Sequence, residues 1–195
     1  MTIPTLTSRR LRLRAWTVAD AEAALAVYSP QEVTRWLSPD MDAVRDGHEM
    51  RLVLQHWVAE NHRSAPPTGR WAIELAEQSR VIGGMTLLYL PPGGTDLEIG
   101  WQLDPDFWGH GYAAEAGHEV AHWALEYPGV DEVFAVVRPT NTRGAATAER
   151  IGMEWVGETD KYYDLHLQVY RVRAADLDQP LADQQYGADQ HRSSR

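Results

Sequence analysis

The stretch Glu98-Ile-Gly-Trp-Gln-Leu-Asp-Pro-Asp-Phe-Trp-Gly-His-Gly-Tyr-Ala-Ala-Glu115 decides how the rest of the chain is read. The residues up to Leu103 predict a strand, Asp104-Pro105 predicts a turn, and Trp108-Gly109-His110-Gly111-Tyr112-Ala113 leads directly into a helix. Two glycines at that junction let the backbone approach a ligand with no Cβ in the way. The first turn of a helix carries N–H groups that have no intrahelical partner, at the end of a dipole that favours negative charge. Together these make an anion cradle of main-chain donors, suited to a diphosphate. Taken alone, a Gly-x-Gly pair is equally what a plain tight turn contains.

Working outward, Thr7 to Arg14 alternates, with Leu11 and Leu13 on one side and Arg10, Arg12 and Arg14 on the other, which predicts a half-buried strand. Thr17-Val-Ala-Asp20 reads as a capping box that opens a helix through about Tyr28. A second helix is predicted over Asp42–Asn61 from the helically spaced stripe Met50, Val53, Leu54, Trp57 and Val58. Ser64-Ala-Pro-Pro-Thr-Gly69 is a loop, and Trp71–Leu75, Val81–Leu90 and Leu97–Leu103 follow as an antiparallel meander. Beyond the quoted stretch come a helix (Ala113–Leu125), a strand (Val133–Val137), a helix (Thr142–Ile151) and two strands (Trp155–Gly157 and His166–Val172). That order predicts an α/β protein in the broad sense, an α+β mixed sheet with helices on its faces. The predicted domain spans 7–173, and the polar segment 176–195 is expected to be a disordered tail.

The 195 residues suit one compact domain, and 44% hydrophobic residues can fill its core. Lys+Arg number 18 against 28 Asp+Glu, a formal charge of −10, and Lys161 is the single lysine. A broad nucleic-acid surface or an anionic membrane surface needs the opposite balance. No cysteine is present, which excludes disulfides, thiolate metal sites and a cysteine nucleophile. No apolar run approaches the ~18 residues of a membrane helix, so the expectation is a soluble, cytoplasmic protein with neither a nucleic-acid nor a membrane partner.

The quoted stretch resembles the coenzyme A loop of the GNAT acyltransferases, and its Trp-Gly-x-Gly-Tyr-Ala-x-Glu-Ala form resembles the RimJ/RimL-like branch. Three other segments agree in order: Thr7 to Arg14 with the opening strand, Val81-Ile-Gly-Gly84 with the third, and Val137-Arg-Pro-Thr-Asn141 through Gly152-Met153 with the "N-x-x-S … G-F" helix. The chain departs at Asp106, which replaces the Arg or Gln that opens the loop motif, and at Gly144, which replaces the Ser that acts as an acid in some relatives. The resemblance implies a GNAT-like acyl-CoA N-acyltransferase fold, with two strands splayed around the pantetheine arm of acetyl-CoA. It implies acetyl transfer from acetyl-CoA to a primary amine, either a protein N-terminus or a small molecule, by direct attack in a ternary complex. It places the cofactor on Trp101, Gln102 and Leu103 at the splay, on Trp108, Gly109, His110, Gly111, Tyr112 and Ala113 in the loop, and on Asn141 at the next helix. For His110 only the main-chain N–H is counted. Dimers are common in the family, and nothing in the sequence fixes an oligomeric state.

Acetyl transfer to an amine needs a base for the ammonium proton, a donor for the carbonyl oxygen and a proton for the leaving thiolate. Glu98 resembles the strand glutamate that serves many relatives as base, acting directly or through water. A phenol is protonated at ordinary pH and can donate, so the acid is sought in Tyr162 or Tyr163, and Tyr163 is assigned to the site. The oxyanion donor is a backbone N–H near Leu103. The acceptor groove is expected between the first two helices and the loop before the last strand, with Trp16, Trp36, Trp57 and Tyr28 as candidate walls. His118-Glu-Val-Ala-His122 raises a competing reading, a zinc-dependent hydrolase with His118 and His122 as ligands and Glu119 activating water. The helical wheel speaks against it, since both histidines lie opposite Val120 on the polar side, and no metal site is expected. A non-catalytic module that binds coenzyme A is the remaining alternative.

Overall fold

The computed structural model describes residues 3–39, 41, 43–91 and 94–177. Its centre is an eight-stranded sheet of β1 (Leu6–Thr7), β2 (Leu11–Ala15), β3 (Gly69–Leu75), β4 (Arg80–Tyr89), β5 (Leu97–Leu103), β6 (Glu132–Val137), β7 (Glu154–Thr159) and β8 (Leu167–Arg173). The spatial order is β1-β2-β3-β4-β5-β6-β8-β7. Every neighbouring pair is antiparallel except β5 and β6, which run parallel. The expected α/β fold with a mixed sheet is therefore what the chain forms.

Helices cover both faces. On one lie α4 (Tyr112–Leu125), α5 (Thr142–Ile151) and the short α6 (Ala174–Leu177), with Ala116, Val120 and Ala124 of α4 packed on Leu13, Ile73, Met85 and Ile99. On the other lie α1 (Ala21–Tyr28), α2 (Gln31–Thr34) and α3 (Gly47–Arg63), whose Ala24, Val27, Met50 and Leu54 pack with Trp16 over Ala72 and Val81. The middle strands β3 and β4 are thus apolar on both sides, which is why they read as near-continuous hydrophobic runs. Gly84 is set by a close approach, because a Cβ there would lie 2.1 Å from the Tyr28 hydroxyl. That leaves room for Tyr28 to reach across the strand and donate to Gln102 Oε1 at 3.2 Å.

Several elements differ from expectation for local reasons. The strand expected over Thr7–Arg14 is broken, because Ser8 turns the chain. Ser8 N donates to Leu11 O at 3.0 Å, and Ser8 Oγ accepts from Leu11 N at 3.1 Å. The Glu115 carboxylate closes this turn from α4, accepting from Ser8 Oγ (2.7 Å), Arg10 N (2.9 Å) and Arg10 Nε (2.6 Å). The helix expected from Asp42 begins at Gly47, because Asp46 Oδ1 caps it through His48 N and Glu49 N at 2.8 and 2.9 Å. The helix α2 was not expected. Asp176 and Leu177, expected to open the tail, belong to the fold, since Asp176 Oδ2 accepts from Arg173 N at 2.8 Å and Leu177 is buried in the main core. The remainder, 178–195, lies outside the described residues.

Glu115→Ala leaves a half-buried main-chain N–H and a hydroxyl without their acceptor. It is expected to lower stability by about 2 kcal/mol and the Tm by roughly 6 °C. Calorimetric unfolding of the variant beside Ser8→Ala, which removes one of the three bonds and is expected to lose less, checks this.

Candidate active site

The site begins where the sheet opens. β5 and β6 share one register pair, Glu98 with Phe134, and then diverge. Asp104 N donates to Ile82 O at 2.9 Å, which fixes the parity of β5 against β4. In an antiparallel pair successive residues turn their main-chain groups to opposite sides, so Trp101 and Leu103 turn theirs away from β4, toward the gap. No β6 residue pairs with either. The gap widens into a cleft of ≈ 970 Å³ lined from both sides of the sheet.

At its open end lies the glycine loop. A 3-10 turn, Pro105–Phe107, is capped by Asp104, whose carboxylate accepts from Asp106 N at 3.1 Å. The Trp108 indole then donates to Leu103 O at 3.0 Å, pinning the loop to the end of β5. Gly109 and Gly111 have φ of +82° and +77°, a region an L side chain rarely occupies. With those dihedrals the chain turns sharply into α4, leaving the N–H groups of Tyr112, Ala113 and Ala114 without helical partners. Trp108, Gly109, Gly111, Tyr112 and Ala113 all line the cleft. His110 does not. It is exposed and stacks on Tyr112 with ring centroids 5.6 Å apart. Asp106 is likewise exposed and does not line the cleft, so its charge does not face the cradle.

Asn141 caps α5, its Oδ1 accepting from Gly144 N at 3.0 Å, and it also lines the cleft. Two arginines near it went unnoticed in the sequence. Arg143 lies over the Trp108 ring, 3.8 Å from its centroid, which puts a cation beside the glycine loop. Arg138 donates to Arg35 O (2.6 Å) and Leu37 O (3.3 Å), binding the carbonyl end of α2 across the cleft mouth. A lone arginine carries no periodicity, and the sequence signal for either was only its nearness to Asn141.

At the closed end stand Glu98 and Tyr163. The Tyr163 hydroxyl donates to Glu98 Oε2 at 3.0 Å, and both line the cleft. Burial pushes the Glu98 carboxyl up to about 7, against the opposing pull of hydrogen bonds from Tyr163 and the Val136 N–H. Tyr163 and Asp164 hold φ of +57° and +53°, a costly pair of left-handed residues at a loop tip that aims the phenol inward. Tyr162 has a different task. It is buried, its hydroxyl donates to Asp96 Oδ2 at 2.8 Å, and it does not line the cleft.

On the helical side Trp36 stands half-buried at the cleft, while Tyr28 and Trp57 border it from the core they share with Trp16, the three being 2%, 6% and 2% exposed. His118 and His122 point elsewhere. Neither lines the cleft, and His122 is exposed with Nδ1 3.5 Å from Glu126 Oε1. Among the described residues no three His, Asp or Glu side chains are grouped as metal ligands.

Comparison with known proteins names the family. The model of the acetyltransferase (GNAT) domain matches residues 10–154. The chain belongs to the GNAT acetyltransferases. As such it is an enzyme, an acetyl-CoA-dependent N-acetyltransferase that moves an acetyl group to an amine. It is 28% identical over 160 residues to an uncharacterized N-acetyltransferase, YoaA, of Bacillus subtilis, covering 82% of this chain and 88% of that protein. The crystal structure of an acetyltransferase from Agrobacterium tumefaciens superposes with a TM-score of 0.68 at 31% identity, over 89% of this chain and 96% of that one. Mycobacterium smegmatis RimJ, solved in complex with CoA-disulfide, shares the fold at a TM-score of 0.71 and 20% identity over 90% of each chain. Among the described residues no helix of this acetyltransferase is long and apolar enough to cross a membrane.

Proposed function

We propose that this acetyltransferase, a cytoplasmic member of the RimJ/RimL-like branch with its catalytic domain over residues 7–173, acetylates a primary amine by direct attack in a ternary complex. The observation that carries the reading is the opening of β5 from β6, with Glu98 and Tyr163 paired at its closed end and the glycine loop at its open end. Acetyl-CoA supplies an acyl group already activated as a thioester. The chain fits it on three counts. Trp101 and Leu103 carry main-chain groups with no partner across the gap, the loop presents N–H donors, and Arg143 adds a positive charge there. Five residues of extended strand, roughly 17 Å, separate Glu98 from Leu103, which is room for an extended arm. Trp101, Gln102, Leu103, Trp108, Gly109, His110, Gly111, Tyr112, Ala113 and Asn141 are the proposed cofactor contacts. His110 serves through its main chain alone.

Glu98 takes the ammonium proton on a carboxylate whose affinity for it is matched to neutral pH. The oxyanion donor must stand near Glu98, so the role falls to the N–H of Trp101, the gap-side residue nearest Glu98 beyond the β5–β6 pair, rather than to Leu103 at the far end of the arm. Tyr163 gives its proton to the departing sulfur and is reprotonated by Glu98 along the 3.0 Å hydrogen bond between them. The proton taken from the amine thus leaves on the thiol, and both residues return to their starting states.

The test is calorimetric titration with coenzyme A followed by an acetyl-CoA turnover screen over primary amines and N-terminal peptides. Arg143→Ala is expected to weaken coenzyme A about tenfold, an effect that shrinks as salt is raised. Unchanged affinity in that variant at low salt removes Arg143 from the site.

A further inference from the structure

The helical half of the cleft has a chemistry of its own. α3 turns Leu52, Val53, His56, Trp57 and Glu60 to it, positions that share one helical face. Val33, Trp36 and Leu37 come from α2 and the residues after it, while Thr86 and Leu88 of β4 form a floor beside Glu98. Leu52 and Tyr89 are 53% and 52% exposed, and both line this cleft. Large apolar side chains held in water at the mouth of a concave, ring-lined groove mark a surface that an apolar ligand covers.

The charges narrow the ligand further. The basic groups at this wall are all engaged: Glu60 takes Arg70 Nε at 3.0 Å and stands 3.4 Å from His56 Nε2, and Arg138 is held by Arg35 O and Leu37 O. Arg70 also lies over the Trp57 ring, 5.4 Å from its centroid. Glu32 sits exposed on the rim, with no cation in ion-pair range among the described residues, and Glu98 waits at the floor. A carboxylate or phosphate beside the acceptor nitrogen would find no unengaged cation on this wall and two acids around it. The hydroxyl of Thr86 donates to Gly100 O at 3.5 Å, which takes up the one side-chain donor that Thr86 and Leu88 could offer the carbonyls of a peptide.

We infer that the acceptor is a primary amine carried on an apolar, ring-sized body with no acidic group near the nitrogen. The inference rests on the amine acetylation proposed above and names its substrate class. The body lies against Trp36 and the exposed Leu52, and the ammonium reaches Glu98.

The experiment uses 2-phenylethylamine, phenylalanine, spermidine and a seryl N-terminal peptide as probes. Binding is measured by calorimetry with coenzyme A present, and kcat/KM is measured with acetyl-CoA. The aryl amine is expected to bind, and to be acetylated, about tenfold or more better than each of the others. Trp36→Ala and the exposed Leu52→Ser are expected to weaken its binding while leaving coenzyme A affinity unchanged. Preference for spermidine, phenylalanine or the peptide overturns the inference, as does unaltered aryl-amine binding in a folded Leu52→Ser variant. Failure of coenzyme A itself to bind would instead strike the reading beneath. If no probe is turned over, the calorimetric ranking still decides the substrate class.

Discussion

Glu98→Gln is expected to cut kcat/KM at pH 7.5 by about 100-fold or more, the usual weight of a lost general base, while coenzyme A affinity stays close to that of the parent. The reason is protonation. A primary amine such as lysine's holds its proton up to about pH 10, so at neutral pH something must remove it, and Glu98, pushed up to about 7 by burial, is half-ionised there. The parent's kcat/KM should therefore rise through about pH 7 and level off above it. In the glutamine variant that limb should vanish, and the deficit should shrink toward pH 10 as the free amine deprotonates unaided. Tyr163→Phe makes the complementary test. Its hydroxyl stabilises the carboxylate at 3.0 Å, so removing it should shift the limb above 7 as well as slow turnover. Stability gives a readout independent of activity. A carboxyl whose folded-state value exceeds its ordinary 4.5 binds more protons folded than unfolded between the two values, so stability falls as pH rises from about 4.5 through 7. The Tm of the parent should thus drop relative to Glu98→Gln across that range. An unchanged limb in the variant would remove Glu98 as the base.

The sequence revealed most where main-chain geometry depends on residue type. Gly109 and Gly111 announced a close approach of backbone to ligand, Asn141 a contact at the start of the next helix, and Glu98 stood a readable five residues before the end of its strand; the structure puts all four residues on one cleft. The alternation of β2 and the doubly apolar runs of β3 and β4 were equally legible, because burial on one or two faces leaves a period. What escaped depends on side chains meeting across long sequence gaps. The turn at Ser8 is enforced by Glu115, 107 residues away, and a local pattern records no such partner. The choice between Tyr162 and Tyr163 was open for the same reason, since adjacent residues on a left-handed loop tip point to opposite neighbours, Asp96 and Glu98. Arg138 and Arg143 act on a carbonyl end and an indole face that only the folded chain brings near. The helix α2 is a single turn, too short to show a period.

Gly111→Val is expected to weaken coenzyme A by roughly 100-fold or more, and the backbone alone supplies a reason. The protein's own atoms leave room for a Cβ here, the nearest being Arg10 Nη2 at an ordinary 3.6 Å. The obstacle is φ of +77°, which a β-branched residue does not adopt without strain of about 1–3 kcal/mol or more. The chain escapes that strain by rotating the peptide that leads into Tyr112, and this turns the first N–H groups of α4 off their common target. Two charge-assisted hydrogen bonds lost at about 1.5–3 kcal/mol each account for the expected fold-change. Gly47→Ala is the control. It also opens a helix, it has nothing within 4 Å of its Cβ, and its φ lies outside the left-handed region. Calorimetry with coenzyme A should find Gly47→Ala unchanged and Gly111→Val nearly silent, with both proteins folded by circular dichroism. Gly109→Ala should fall between them. Its φ of +82° is as strained, but its Cβ also meets nothing, and alanine tolerates the region better than valine. If folded Gly111→Val binds as tightly as the parent, the main-chain amides of this loop do not hold the diphosphate, and the donors must be sought among the side chains of α5.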